Sequence, residues 1–263
     1  MNEYCNFYQL SEQAQTLSLI FASVNILKHL PNAITCANLF CGCLAILSTL
    51  SGQVHHATFY IAAALVFDFL DGFVARLLNV QSLLGKQLDS LADMVTFGVV
   101  PGIILFSLFL KSNFFLLIDN RLLFNVCRYF FFIITIASAL RLAKFNIDTR
   151  QTNSFLGLPT PATTIFIASL PLIAMHDQYG LVPYILNPLI LFGICLLFSV
   201  LMTSEIPLFA LKFKNFKWVD NKPQFLLIGL SIILLLVLKL VAIPAIIVLY
   251  ILLSILCKKQ FAT

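Results

Sequence analysis

The stretch FDFLDGFVARLLNVQSLLGKQLDSLADMVTFG, residues 67–98, places four carboxylates, Asp68, Asp71, Asp89 and Asp93, inside an otherwise apolar chain. Asp68, Asp71, Gly72 and Ala75 are spaced i, i+3, i+4, i+7, the repeat of one helix face. Gly85, Asp89 and Asp93 are spaced i, i+4, i+8 and share a face of a second helix. The short link around residues 77–86 lets the two faces meet. Four carboxylates brought together repel strongly at low dielectric, so a cation belongs between them. An oxygen-only donor set without His or Cys suits a hard ion, Mg²⁺ or Mn²⁺. Two such ions, about 3.5–4 Å apart, are a common clamp on a phosphoryl group in transfer. Gly72, Ala75 and Gly85 leave room for a ligand near the backbone. Arg76, one turn from Gly72, offers a bidentate fork to a phosphate.

Outward from this stretch the chain is that of an integral membrane protein. Of its 263 residues 60% are apolar and only 10% charged, against roughly 25% charged in a soluble domain. Its mean hydropathy is +0.99. The sequence predicts an all-α polytopic protein of about eight spans: 33–50, 57–75, 87–110, 122–143, 161–176, 184–202, 224–238 and 241–257. The last two form either a hairpin or one kinked element around Lys239–Pro244. Four segments are expected: a polar or interfacial segment at 1–30, a catalytic membrane core at 31–203, a basic loop at 204–223 and a C-terminal pair of helices with its tail at 224–263. No secretory signal peptide is expected. With the N-terminus inside, twelve of the sixteen Lys and Arg fall on the inner side. That asymmetry places both termini, and the acidic ends of the second and third spans, in the cytoplasm.

The seven cysteines read as small core residues. His55, His56 and His176 fall on the outer side, away from the acids. The net charge of +5 suits an anionic leaflet, and the loop holding Lys212, Lys214, Lys217 and Lys222 suits contact with anionic lipid. No basic cluster is interleaved with aromatics, so no nucleic acid is expected as a partner. A solvated loop is a poor account of the acids, because their flanks are apolar and their spacing helical. An ion pathway is a second account, since intramembrane carboxylates also line transporters and proton relays. Transporter sites usually lie near the midplane on broken helices, whereas these acids lie near the basic, cytoplasmic end.

The run Asp68-x2-Asp71-Gly72-x2-Ala75-Arg76-x8-Gly85-x3-Asp89-x3-Asp93 resembles the complete signature of the CDP-alcohol phosphotransferases, eight fixed positions over 26 residues. The resemblance implies a six-helix catalytic core. It implies transfer of a phosphatidyl or similar group from a CDP-activated donor to an alcohol, with release of CMP. It further implies that Asp68, Asp71 and Asp89 bind metal, with Asp93 beside them as general base, ligand or both. Gly72, Ala75 and Arg76 are implied to contact the CDP moiety, and the family is often dimeric, which makes a homodimer an expectation.

Three other stretches, LPNAITCANLFCG (30–42), LDSLADMVTFGVVP (88–101) and ALRLAKFN (139–146) followed by FLGLPTPA (155–162), resemble the phosphatidylserine synthase branch of that family. The glycerophosphate-using branch usually has Pro, Lys and Arg where this chain has Ser90, Met94 and Asn38. The implied donor is CDP-diacylglycerol and the implied acceptor L-serine, in a bacterial cytoplasmic membrane. Glycerol 3-phosphate or an inositol compound is the alternative acceptor. Arg141 and Lys144, spaced i, i+3, and nearby Arg150 are candidates for the serine carboxylate or the donor phosphate; their alternative role is topological. Asn32, Thr35 and Asn38 recur on one face of the first span. They either line the nucleotide pocket or serve as an N-cap and interhelical hydrogen bonds.

Overall fold

A computed structural model describes residues 28–80, 82–112, 121–148, 154–209 and 221–257. Arg150, Lys212, Lys214, Lys217 and most of the 1–30 segment lie outside these residues. The first four helices are α1 (Lys28–Leu50), α2 (Val54–Leu77), α3 (Leu83–Lys111) and α4 (121–147). A short strand β1 (Ser154–Leu156) leads to α5 (Thr160–His176), a single turn α6 (Val182–Ile185) and α7 (Pro188–Thr203). A second strand β2 (Pro207–Phe209) precedes α8 (Lys222–Leu238) and α9 (Ala242–Leu256). Among the described residues five stretches are long and apolar enough to cross a membrane: α1, α2, α3, Phe124–Ile147 of α4, and Lys222–Leu256, which holds α8 and α9. The helices α5 and α7 are shorter but apolar.

The expected spans are all present as helices, each within a few residues of its hydropathy limits. Helices α8 and α9 pack side by side, so the C-terminal pair is a hairpin. It reverses at Lys239, whose φ of 50° breaks the α-helical path. The all-α expectation needs one small addition, the antiparallel β1–β2 pair, in which Leu156 faces Pro207 and Ser154 faces Phe209.

Helix α3 is the centre of the bundle, packed against α4 and α5. Its middle, Met94–Val99, is a π-helical turn in which the Val100 amide reaches back to the Val95 carbonyl. Small residues let the helices approach closely, as is usual where no hydrophobic force drives association within lipid. Gly42 of α1 sits against Thr96 of α3, 3.2 Å from its Cα at the place a Cβ would occupy. Across α3 and α4, Thr135 donates to the Gly98 carbonyl at 3.0 Å. Phe97, Phe109, Phe131, Ile104 and Ile167 fill the interior. Leu189, Leu236 and Leu256 are about three-quarters exposed, as residues that face lipid would be.

Candidate active site

The acids come together because two consecutive helices carry them near their shared end. Asp68 and Asp71 stand one turn apart in the C-terminal half of α2. Asp89 and Asp93 stand one turn apart in the N-terminal half of α3. The connection is tight: Asn79 takes a φ of 53°, and Ser82 caps α3 by accepting from the Gly85 amide at 2.9 Å. One carboxylate oxygen from each of Asp68, Asp71 and Asp89 lies within 4.8 Å of the others. Asp93 is not one of the three; its carboxyl lies beside that of Asp68.

Helix α1 fixes these carboxylates from a third side. The Thr35 hydroxyl donates to Asp71 Oδ2 at 2.5 Å. Asn38 Nδ2 reaches Asp93 Oδ1 at 3.4 Å, and its own Oδ1 is buried without a hydrogen-bond partner among the described residues. Of the two sequence readings for Thr35 and Asn38, interhelical hydrogen bonding is thus observed, directed at the acids themselves. An all-oxygen set of three clustered carboxylates, with a buried amide oxygen beside the fourth, fits a hard divalent cation.

Two cavities flank the carboxylates. One, of about 520 Å³, opens between α1, α2 and α3 and is lined by Asn32, Thr35, Asp71, Gly72, Ala75, Arg76, Gly85 and Asp89. A Cβ on Gly72 would meet nothing nearer than Arg76 Nη2 at 4.0 Å, so its absence leaves open space. A Cβ on Gly85 would come within 3.0 Å of Asn32 Oδ1 and 3.1 Å of Ser82 Oγ. The exposed Arg76 is turned back on its helix by a 2.9 Å bond from Nε to the Gly72 carbonyl. Asn32, Thr35, Gly72, Ala75, Arg76 and Gly85, singled out in the sequence, all reach this one cavity.

The second cavity, of about 360 Å³, lies between the ends of α4 and α7 and β1. Its lining includes Arg141, Lys144, Phe145, Asp148, Leu156, Thr203, Ser204 and Glu205. Lys144 is exposed, but Arg141 is only 8% exposed. The Arg141 guanidinium stacks over the Phe145 ring at 5.4 Å. Its Nε has no hydrogen-bond partner among the described residues, and its charge interacts with that of Asp93. Asp93 therefore interacts both with Asp68 of the acidic triad and with Arg141 of the second cavity.

Three contributors escaped the sequence reading. Asn146 donates to Ser90 Oγ at 2.8 Å while its carbonyl receives Lys86 Nζ at 3.4 Å, tying α4 to α3 between the cavities. It lies in the quoted ALRLAKFN run, the only hint available. Glu205 and Tyr250 sit in stretches with no helical periodicity of polar residues to mark them.

A sequence profile described as CDP-alcohol phosphatidyltransferase matches residues 28–204, and these residues hold the triad, Asp93, both cation-bearing helix ends and all but the last residue of the second cavity. The chain belongs to the CDP-alcohol phosphatidyltransferase family of membrane transferases. Among individual proteins it is similar to the CDP-diacylglycerol–serine O-phosphatidyltransferase of Bacillus subtilis (strain 168), 36% identical over 192 residues, which are 73% of this chain and 93% of that protein. The enzyme of the same name from Helicobacter pylori (strain J99) is 35% identical over 208 residues, 78% of this chain and 80% of that one. That from Mycobacterium leprae (strain TN) is 30% identical over 248 residues, 90% and 75% of the two chains. Membership of a transferase family replaces the ion-pathway account of the acids.

Proposed function

We propose that the protein transfers the phosphatidyl group of CDP-diacylglycerol to L-serine, forming phosphatidylserine and CMP. The donor's cytidine diphosphate occupies the larger cavity. Its small-residue floor at Gly72, Ala75 and Gly85 admits a diphosphate close to the backbone, and Arg76 swings out to meet a phosphate. Serine occupies the smaller cavity. The observation that carries this assignment is Arg141: a guanidinium held in a buried site with an unused donor is costly until an anionic ligand arrives. The serine carboxylate is that ligand, with Lys144 and Arg150 as further cations at the rim.

Asp68, Asp71 and Asp89 are the residues that would hold the metal, two Mg²⁺ or Mn²⁺ ions, with Asp93 at the edge of the set. Bound there, the ions would supply neutralisation of charge on the diphosphate. The chain's own groups do the rest. Thr35 orients Asp71, and Asn38 orients Asp93. Asp93 takes the proton from the serine hydroxyl as its oxygen bonds to phosphorus and the bond to CMP breaks. The placement of Asp93 supports this role, since it interacts with both Asp68 of the triad and Arg141. The inner-side excess of Lys and Arg supports a bacterial cytoplasmic membrane with the catalytic face toward the cytoplasm. On this reading residues 31–203 are the catalytic core, and the basic loop meets anionic lipid.

The test is an acceptor panel. Purified protein with labelled CDP-diacylglycerol and Mg²⁺ or Mn²⁺ should give labelled phosphatidylserine and CMP with serine, and no lipid product with glycerol 3-phosphate or inositol compounds. Excess chelator should abolish product. A product with another acceptor only would overturn the serine assignment.

A further inference from the structure

The family profile ends at residue 204, just before the last residue of the smaller cavity, Glu205, and before β2 and the α8–α9 hairpin. What holds that wall in place lies beyond the profile. Residues 202–206 fold against Gly157. The Gly157 amide donates to the Ile206 carbonyl at 3.0 Å, and the Leu158 amide to the Leu201 carbonyl at 2.9 Å. Gly157 has a φ of 75°, and a Cβ there would fall 2.5 Å from the Met202 carbonyl oxygen and 2.8 Å from that of Ser204. Pairing of β1 with β2 continues this contact, setting Leu156 of the cavity opposite Pro207. Two strands of three residues are not stable alone, so the pair needs an anchor.

Helix α9 supplies the anchor. Tyr250, 7% exposed, donates its hydroxyl to the Phe209 carbonyl at 3.0 Å. Its ring meets that of the fully buried Phe209 edge-on, with centroids 5.1 Å apart. Tyr250 is also within electrostatic reach of the Arg141 guanidinium. Along α8 and the outer side of α9, apolar side chains such as Ile233, Leu236, Leu252 and Leu256 are exposed, while the other side of α9 packs against α5. A phenol hydroxyl is therefore spent inside a lipid-facing element on one backbone carbonyl of the pocket wall.

We infer that the C-terminal hairpin is a working part of the acceptor pocket, in which Tyr250 is a positioning residue that fixes the β1–β2 wall, and Glu205 with it, opposite Arg141. The inference rests on the reading above that this cavity receives the acceptor. It makes the hairpin more than a membrane anchor: loosening it degrades acceptor recognition while leaving the donor cavity and the acids, built from α1 to α3, as they were.

The test uses full-length Tyr250→Phe, which loses one hydroxyl, and Tyr250→Leu, which also loses the ring contact. Kinetics in mixed micelles would be combined with Mn²⁺ binding followed by electron paramagnetic resonance. One buried hydrogen bond contributes about 0.5–1.5 kcal/mol. The expected rise in serine KM for Tyr250→Phe is therefore about 2- to 12-fold, larger for Tyr250→Leu. The KM for CDP-diacylglycerol and the Mn²⁺ affinity should stay within about twofold of wild type. An unchanged serine KM in both variants would overturn the inference. So would a parallel loss of donor and Mn²⁺ binding, or failure of both variants to elute as folded protein in detergent, since each makes Tyr250 a general stability residue. If wild-type protein itself forms no phosphatidylserine, the serine reading falls instead, and the variants are scored on the KM of the acceptor that it does use.

Discussion

Replacing Thr35 by Val tests the way the first helix controls a site made of acids on the second and third. The Thr35 hydroxyl has a single proton and two acceptors within reach, Asp71 Oδ2 at 2.5 Å and the Pro31 carbonyl at 3.0 Å. The shorter contact is to the carboxylate, the better acceptor. Thr35 and Asp71 are 3% and 6% exposed, so water has little room to replace a lost donor. A hydrogen bond to a charged group contributes about 1.5–3 kcal/mol. Loss of an outer partner of a metal ligand costs about 10- to 100-fold in metal affinity, or roughly 1.4–2.8 kcal/mol, in agreement. Thr35→Val should therefore raise the Mn²⁺ dissociation constant about 10- to 100-fold, read from the resonance of free Mn²⁺. The concentration of Mg²⁺ at half-maximal CMP release should rise in step, while the rate at saturating metal recovers most of its wild-type value. Thr35→Ser keeps the hydroxyl and should restore tight binding. Unchanged Mn²⁺ affinity in Thr35→Val, or equal loss in Thr35→Ser, would refute the reasoning.

Asp93→Asn should retain CDP-diacylglycerol binding by isothermal titration while turnover falls by about 10²–10⁴-fold; lost donor binding would make Asp93 chiefly a ligand. Arg141→Ala should raise the KM for serine well above its effect on the donor KM, the mark of a ground-state contact to one substrate; an unchanged serine KM would move the carboxylate partner to Lys144 or Arg150. Gly42→Val should lower thermal stability in detergent by about 1–3 kcal/mol through overpacking, because its Cβ meets the Thr96 backbone. Gly193→Val, with nothing within 4 Å of the same atom, should be near neutral in the same melting experiment.

The membrane helices and the acidic array were legible for the same reason: both are periodic. Apolar runs of nearly 20 residues admit few structures within lipid, and i, i+3, i+4 spacing fixes which side chains share a helix face. The sequence carried Asp68, Asp71 and Asp89 to one place because a short link leaves two consecutive helices no room to separate. It could not choose between roles for Thr35 and Asn38, because a polar side chain on a helix face serves a ligand or a neighbouring helix equally well by pattern. Nor could it mark β1 and β2, whose three residues each are too few for a period of two to stand out. Tyr250 is one polar group in an apolar run, and its partner is a backbone carbonyl, which no side-chain pattern reveals. The sequence marked a break around Lys239–Pro244 but left hairpin and kink open, since a lysine there gives no sign that φ will be positive.

The distribution of the site along the chain also sets a timetable. A ribosome delivers this protein from its N-terminus, so Thr35, Asn38 and all four acids are made before Arg141, and Tyr250 arrives after all of them. At about 5–20 residues per second, the interval between Asp93 and Tyr250 is on the order of 8–30 s. During that interval the nascent protein has its carboxylates and their hydrogen-bond partners but lacks the closing brace of the neighbouring pocket. The order of synthesis thus separates the birth of a cation trap from the completion of a group-transfer centre.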